Sequence, residues 1–204
     1  FASVMNYARH RSMTDRPGPV LIDVPFDVSR MEYDHPVEVV EVVRYPKQPD
    51  DRLVSEIKEV SRILAKAKHP LILIGGGCTY RRDPVRKLIN YLWIPTVYSL
   101  MAKDILTTDH PMNVGFIGSY GNRWVNKALA ECDVLLVLGS RLDVRQTGSN
   151  LEGFKEKTVI QVDNDLGEVG NRIKPNLYIH ADVGDFHDVI IPPKSQPVNT
   201  AKLD

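Results

Sequence analysis

Val134-Leu135-Leu136-Val137-Leu138-Gly139-Ser140-Arg141-Leu142-Asp143-Val144-Arg145-Gln146-Thr147-Gly148 holds the strongest structural signal in the chain. Five consecutive apolar residues after Asp133 describe a strand buried on both faces, and the glycine and polar turn that follow lie at its carboxyl end. Open parallel sheets hold ligands in the crevice beyond the carboxyl ends of their strands. The turn carries Arg141, Asp143, Arg145 and Thr147, so two guanidinium groups, a carboxylate and a hydroxyl project from the end of one buried strand. Such a set suits a phosphate-bearing ligand. Equally, the arginines and the aspartate can pair with one another in a solvated loop, an arrangement worth little energy. Spacing alone leaves both readings open.

Composition narrows what surrounds this stretch. The 204 residues suit one domain with flanking pieces, and 43% apolar residues can fill a core. Basic and acidic residues balance at 26 each, which leaves none of the basic excess that binding to nucleic acid or an anionic membrane surface needs. The apolar runs are strand-length, and no charged-then-apolar leader with a cleavage site is read, so the expectation is a soluble, cytoplasmic protein. Cys78 and Cys132 are far apart and lack zinc-type spacing, which predicts reduced thiols at the sheet. His10, His35, His69, His110, His180 and His187 are scattered, and none stands three or four positions from another. The chain opens at Phe1 inside a helical pattern, which is what a piece of a longer polypeptide would show.

Residues Phe1 to Arg16 read as the end of an amphipathic helix, stopped by Pro17-Gly18-Pro19. Val20-Leu21-Ile22-Asp23-Val24-Pro25 reads as a buried strand, the last piece of a preceding domain. From Phe26 to Asp50, prolines at 36, 46 and 49 interrupt a valine and glutamate segment, which predicts an extended linker. Asp50 or Asp51 can then cap a helix whose Leu53, Ile57, Val60, Leu64 and Ala67 share one face. Pro70 to Ile74 is a strand running into Gly75-Gly76-Gly77-Cys78. Three glycines there let a ligand or another backbone come close, and a helix from about Asp83 to Trp93 would aim its N-terminus at that space. The arrangement looks like half a dinucleotide site without the full G-x-G-x-x-G spacing, and a glycine-rich tight turn explains it as well.

Ile94 to Ser99 is a second short strand, followed by Leu100-Met101-Ala102-Lys103, in which a lone lysine reads as solvated. After an irregular stretch, Gly118 to Arg123 leads into a helix through Ala130. Thr158 to Asp165 is a strand ending in acidic residues, which can face a ribose hydroxyl or cap a short helix through Gly170. Leu177 to Asp182 is a last strand and Val183 to Ile190 a short helix, while Pro192 to Asp204 reads as an exit linker. Strands alternating with helices predict an α/β fold, a doubly wound parallel sheet of about six strands flanked by helices.

Taken together and in order, six stretches resemble the thiamine-diphosphate-dependent acetolactate synthase family. They are Arg16 to Val28, Ile74-Gly75-Gly76-Gly77, Ile94-Pro95 with Ser99-Leu100-Met101, Gly115 to Gly121, Asp133 to Gly148, and Gln161 to Asp165 through Glu168-Val169-Gly170. The resemblance implies residues 1–28 as the end of a pyrimidine-binding domain, 29–50 as a linker, 51–191 as a central Rossmann-like domain and 192–204 as an exit linker. It implies thiamine diphosphate and magnesium as cofactors of a full-length homo-oligomeric enzyme acting on 2-oxo acids. Their motifs belong to pyrimidine- and diphosphate-binding domains outside this chain, since Gly184-Asp185 continues with Phe186. No catalytic residue and no metal ligand is therefore expected here, and the chain alone is expected to be inactive. In this family the central domain binds FAD, ADP or nothing. By motif, such contacts fall on Gly75, Gly76, Gly77, Leu100, Met101, Gly139, Arg141, Asp143, Arg145, Asp163 and Asn164. The chain has Asp143-Val144-Arg145 where acetolactate synthases have two aspartates before the arginine, so the implied reaction widens to carbon-carbon bond formation or cleavage, transferase or lyase. The alternative from another class is a stand-alone NAD-, FAD- or ADP-binding module.

Overall fold

The computed structural model describes residues 2–14, 16–32 and 51–191. The chain divides into two compact units, residues 1–47 and 48–204. In the first, helix α1 spans Ala2–Met13, and the Thr14 hydroxyl donates to the His10 carbonyl at its end, 2.7 Å away. The strand expected at Val20–Pro25 is absent: the segment is irregular and Leu21 is 95% exposed. An apolar run becomes a strand only where a neighbour completes its hydrogen bonds, and Pro17, Pro19 and Pro25 have no N–H to offer one. The extended path expected from Phe26 begins instead with one helical turn, α2 (Phe26–Ser29), beneath the Arg30 guanidinium at 4.1 Å from the Phe26 ring centroid. The remaining linker reading, Asp50 as a cap and the exit segment 192–204 lie outside the described residues.

The second unit carries the sheet. Helix α3 (Asp51–Lys66) presents Ile57 and Val60 to the core, as its periodicity predicts. Then come β1 (Pro70–Ile74), a 3-10 helix over Gly76–Arg81, α4 (Arg82–Leu92), β2 (Thr96–Tyr98) and β3 (Asn113–Phe116). They are followed by α5 (Arg123–Glu131), β4 (Val134–Leu138), α6 (Val144–Thr147) and α7 (Glu152–Lys155). Strand β5 (Thr158–Asp163), β6 (Leu177–His180) and α8 (Val183–Ile190) complete the unit. The strands are all parallel in the order β3-β2-β1-β4-β5-β6, a doubly wound sheet whose connections diverge between β1 and β4.

Alternation explains the continuous apolar strands. Ile72 and Ile74 of β1 with Leu136 and Leu138 of β4 face one core that holds α3, α4 and α8. Leu71 and Leu73 with Leu135 and Val137 face the other, which holds α5. Each such side chain contributes about 1.5–3 kcal/mol by leaving water, so both faces must stay covered.

The amino ends of β1 and β4 are tied by a carboxylate. Asp133 accepts from the backbone N–H of Lys68 at 2.7 Å and of His69 at 2.9 Å. Burial pushes its carboxyl up, but these donors, with the N–H groups of Asp133 and Val134, outweigh that and hold it below the usual carboxylate range. A carboxyl lowered by folding stabilises the protein above its unfolded value and loses that contribution as pH falls through its folded value. Asp133→Asn should therefore cost about 1 kcal/mol near neutral pH, discounted for partial exposure, and progressively less below about pH 4. Urea unfolding of both proteins from pH 7 to 3 checks this; a pH-independent difference would refute the charge argument.

Candidate functional site

The crevice lies where the connections of β1 and β4 part, beyond the carboxyl ends of both strands. Its floor is backbone. The Gly75 N–H donates to the Leu138 carbonyl at 2.8 Å, the Gly77 N–H to the Gly139 carbonyl at 2.9 Å, and the Gly139 N–H to the Val162 carbonyl at 2.9 Å. The Cys78 thiol, pushed up to about 12 by burial, also reaches the Leu138 carbonyl at 3.2 Å. The expected close approach at Gly75 and Gly77 is made by another backbone, that of the turn after β4. The helix expected from about Asp83 to Trp93 runs Arg82–Leu92, and the 3-10 stretch Gly76–Arg81 stands between its N-terminus and the end of β1. Gly139 takes φ +54°, which lets β4 turn sharply into Ser140.

From that turn the side chains diverge. Asp143 caps α6, its Oδ1 accepting from the N–H groups of Arg145 at 3.0 Å and Gln146 at 3.2 Å. The Arg141 guanidinium is 55% exposed and stands 3.5 Å from Asp143 and 3.9 Å from Glu168. Arg145 is exposed, and its guanidinium makes no ion pair among the described residues; its carbonyl accepts from the Ser119 N–H at 2.8 Å. Thr147, expected to project its hydroxyl, is buried: the hydroxyl donates to the Asp143 carbonyl at 3.0 Å and accepts from Arg172 at 3.2 Å. Arg172 also donates to the Gly148 carbonyl at 2.7 Å, clamping the turn from the loop after β5.

The other expected contacts stand around this centre. Leu100 and Met101 lie on a 3-10 turn after β2, 65% and 68% exposed, and the Met101 carbonyl accepts from the Thr79 hydroxyl at 3.3 Å. A Cβ on Gly76 would stand 3.2 Å from that of Met101, so the loops after β1 and β2 meet. Asp163 and Asn164 end β5. The Asp163 carboxylate accepts from the Asp165 N–H at 2.9 Å, its carbonyl accepts from the Tyr178 hydroxyl at 3.1 Å, and the Asn164 carbonyl lies 3.2 Å from the His180 ring. Burial first, then the charges of Asp163 and Asp165, push Tyr178 up to about 12. Asp165 caps the short turn Leu166–Glu168, accepting from the Gly167 N–H at 2.9 Å.

Three features escaped the sequence reading. Ser140 and Gln161, both buried, join Gln146 in a polar network beneath the turn. Glu168 comes to Arg141 from the next loop, and Arg172 clamps the turn. Large exposed apolar side chains stand in every loop after β1 to β5: Tyr80, Leu100, Met101, Tyr120, Val144 and Leu166. A set of this kind marks a surface that meets a ligand or another protein face. Among the described residues no group of three His, Cys, Asp or Glu can hold a metal ion, and no helix is long and apolar enough to cross a membrane.

The family described as thiamine pyrophosphate enzyme, central domain, matches residues 57–190. The acetolactate synthase isozyme 1 large subunit of Escherichia coli (strain K12) is 33% identical over 191 residues, 93% of this chain and 33% of that protein. The chloroplastic acetolactate synthase 2 of Nicotiana tabacum is 31% identical over 186 residues, 88% of this chain and 27% of that protein. The acetolactate synthase large subunit of Cyanidium caldarium is 31% identical over 194 residues, covering 89% and 32%. The chain thus spans about a third of the length of the curated relatives it matches. The stand-alone nucleotide-binding alternative draws no support from these matches.

Proposed function

The chain belongs to the family of thiamine pyrophosphate enzyme central domains, and on that premise we propose that it serves a cytoplasmic, oligomeric enzyme that makes or breaks a carbon-carbon bond beside the carbonyl of a 2-oxo acid. In this reading 1–28 ends a pyrimidine-binding domain, 29–50 links, 51–191 is the central domain and 192–204 leads onward. The observation that carries it is the similarity to proteins named acetolactate synthase over about nine-tenths of the chain. Thiamine diphosphate and magnesium supply the reactive carbon nucleophile in such an enzyme. The described residues hold no donor cluster fit for that magnesium, so no step of the chemistry is assigned to them. Their work is to shape the site and present the exposed apolar loops to the domains around it.

The crevice is proposed to take FAD or ADP. The exposed guanidinium groups of Arg141 and Arg145 would hold the diphosphate, Asp163 and Asn164 the ribose end, and Leu100 and Met101 an aromatic face, while Gly75, Gly76, Gly77, Gly139 and Asp143 form the floor and cap behind them. With thiamine diphosphate, magnesium and pyruvate, the intact protein should consume the 2-oxo acid, and residues 51–191 alone should give no turnover above buffer. Turnover by the isolated domain, or an intact protein indifferent to 2-oxo acids, would sink the reading.

A further inference from the structure

Strand β5 is apolar on both faces except at one inner position. Gln161, 1% exposed, alternates with Ile160 and Val162 and so lies on the side of Val159. An apolar residue would fill that place without burying an amide, so the polar group must be matched by a specific partner. Its Nε2 donates to the Ser140 carbonyl at 3.0 Å. The Ser140 hydroxyl, itself 3% exposed, donates to Gln146 Oε1 at 2.7 Å and accepts from the Leu142 N–H at 3.4 Å. Leu142 is left-handed, with φ +54°, and its side chain is buried. A leucine holds that conformation only where its surroundings impose it. The residues on either side of Arg141 are therefore both fixed by one buried network anchored on β5.

We propose that Gln161 is a positioning residue, which through Ser140 sets the backbone on both sides of Arg141 and so aims its guanidinium at the diphosphate of a bound nucleotide. The inference rests on the nucleotide reading of the crevice. Removing the amide leaves the Ser140 carbonyl unmatched and lets Leu142 relax, which scatters the guanidinium over many orientations. Gln161→Met keeps the length and burial of the side chain without its donor.

The test is calorimetric titration of ADP, and of FAD where ADP does not bind, into the intact protein, as wild type and Gln161→Met, each with and without Arg141→Ala, together with amide exchange over residues 140–148. Gln161→Met should raise the Kd about tenfold when Arg141 is present and leave it unchanged in the Arg141→Ala background. Exchange should quicken in 140–148 while that of β1 stays slow. Gln161→Leu, which also lacks the donor to the Ser140 carbonyl, carries the same test should Gln161→Met fail to fold. A Kd unchanged by Gln161→Met, or a loss that persists without Arg141, overturns the inference and leaves nucleotide binding standing. A wild type that binds neither ADP nor FAD overturns the nucleotide reading, and the inference with it.

Discussion

Gly75→Ala should destabilise the folded domain by about 3 kcal/mol and lower its melting temperature by roughly 6–12 °C. The backbone at Gly75 is extended, φ −113° and ψ −175°, and accepts any residue. The penalty is therefore steric. A Cβ there would fall on the Gly139 carbonyl oxygen and the Ser140 Cβ, and 2.7 Å from the Ser140 Cα. These neighbours are mostly backbone, so none can rotate aside, and the ends of β1 and β4 must part along with the 2.8 Å bond from Gly75 to Leu138. Gly153, in α7, has nothing within 4 Å of its added Cβ, and Gly153→Ala should be neutral or slightly stabilising. Thermal and urea unfolding of both variants measure the contrast. A loss below about 1 kcal/mol at Gly75 would mean that the two loops separate easily and that the crevice floor is not closed.

The glycines were legible as a place of close approach, but a local pattern cannot say what approaches; here it is the turn of another strand. Strands β1, β4 and β5 were legible because both their faces are apolar, which needs no knowledge of neighbours. The missed β3 is a half-buried edge strand broken by Gly115, and its alternation is too short to stand out. Val20–Pro25 failed in the other direction, since apolarity is local and strand pairing is not. The polar network and the Arg172 clamp were invisible because Gln161 and Arg172 reach partners 21 to 25 positions away. Only Gln161 left a trace, as a lone amide in an apolar run.

Arg141→Ala in the intact protein should weaken ADP or FAD binding at least tenfold, since a charge-assisted contact to a diphosphate is worth about 1.5–3 kcal/mol. The arginine stands with Asp143 and Glu168 at 3.5 and 3.9 Å, long for ion pairs and half in solvent, so those partners contribute little to stability. Their effect on a ligand is larger and opposite in sign. Both carboxylates compete with a phosphate for the guanidinium and repel it once it arrives, and Arg141→Ala leaves them unopposed. Glu168→Gln removes one competitor while Asp143 keeps its cap on α6, and it should tighten binding by about twofold to fivefold, more at low salt. If Arg141 only braced the loops, both substitutions would loosen the turn and weaken binding together. Calorimetric titration at two salt concentrations separates the cases: opposite signs place the guanidinium on the ligand, whereas parallel losses make it a strut.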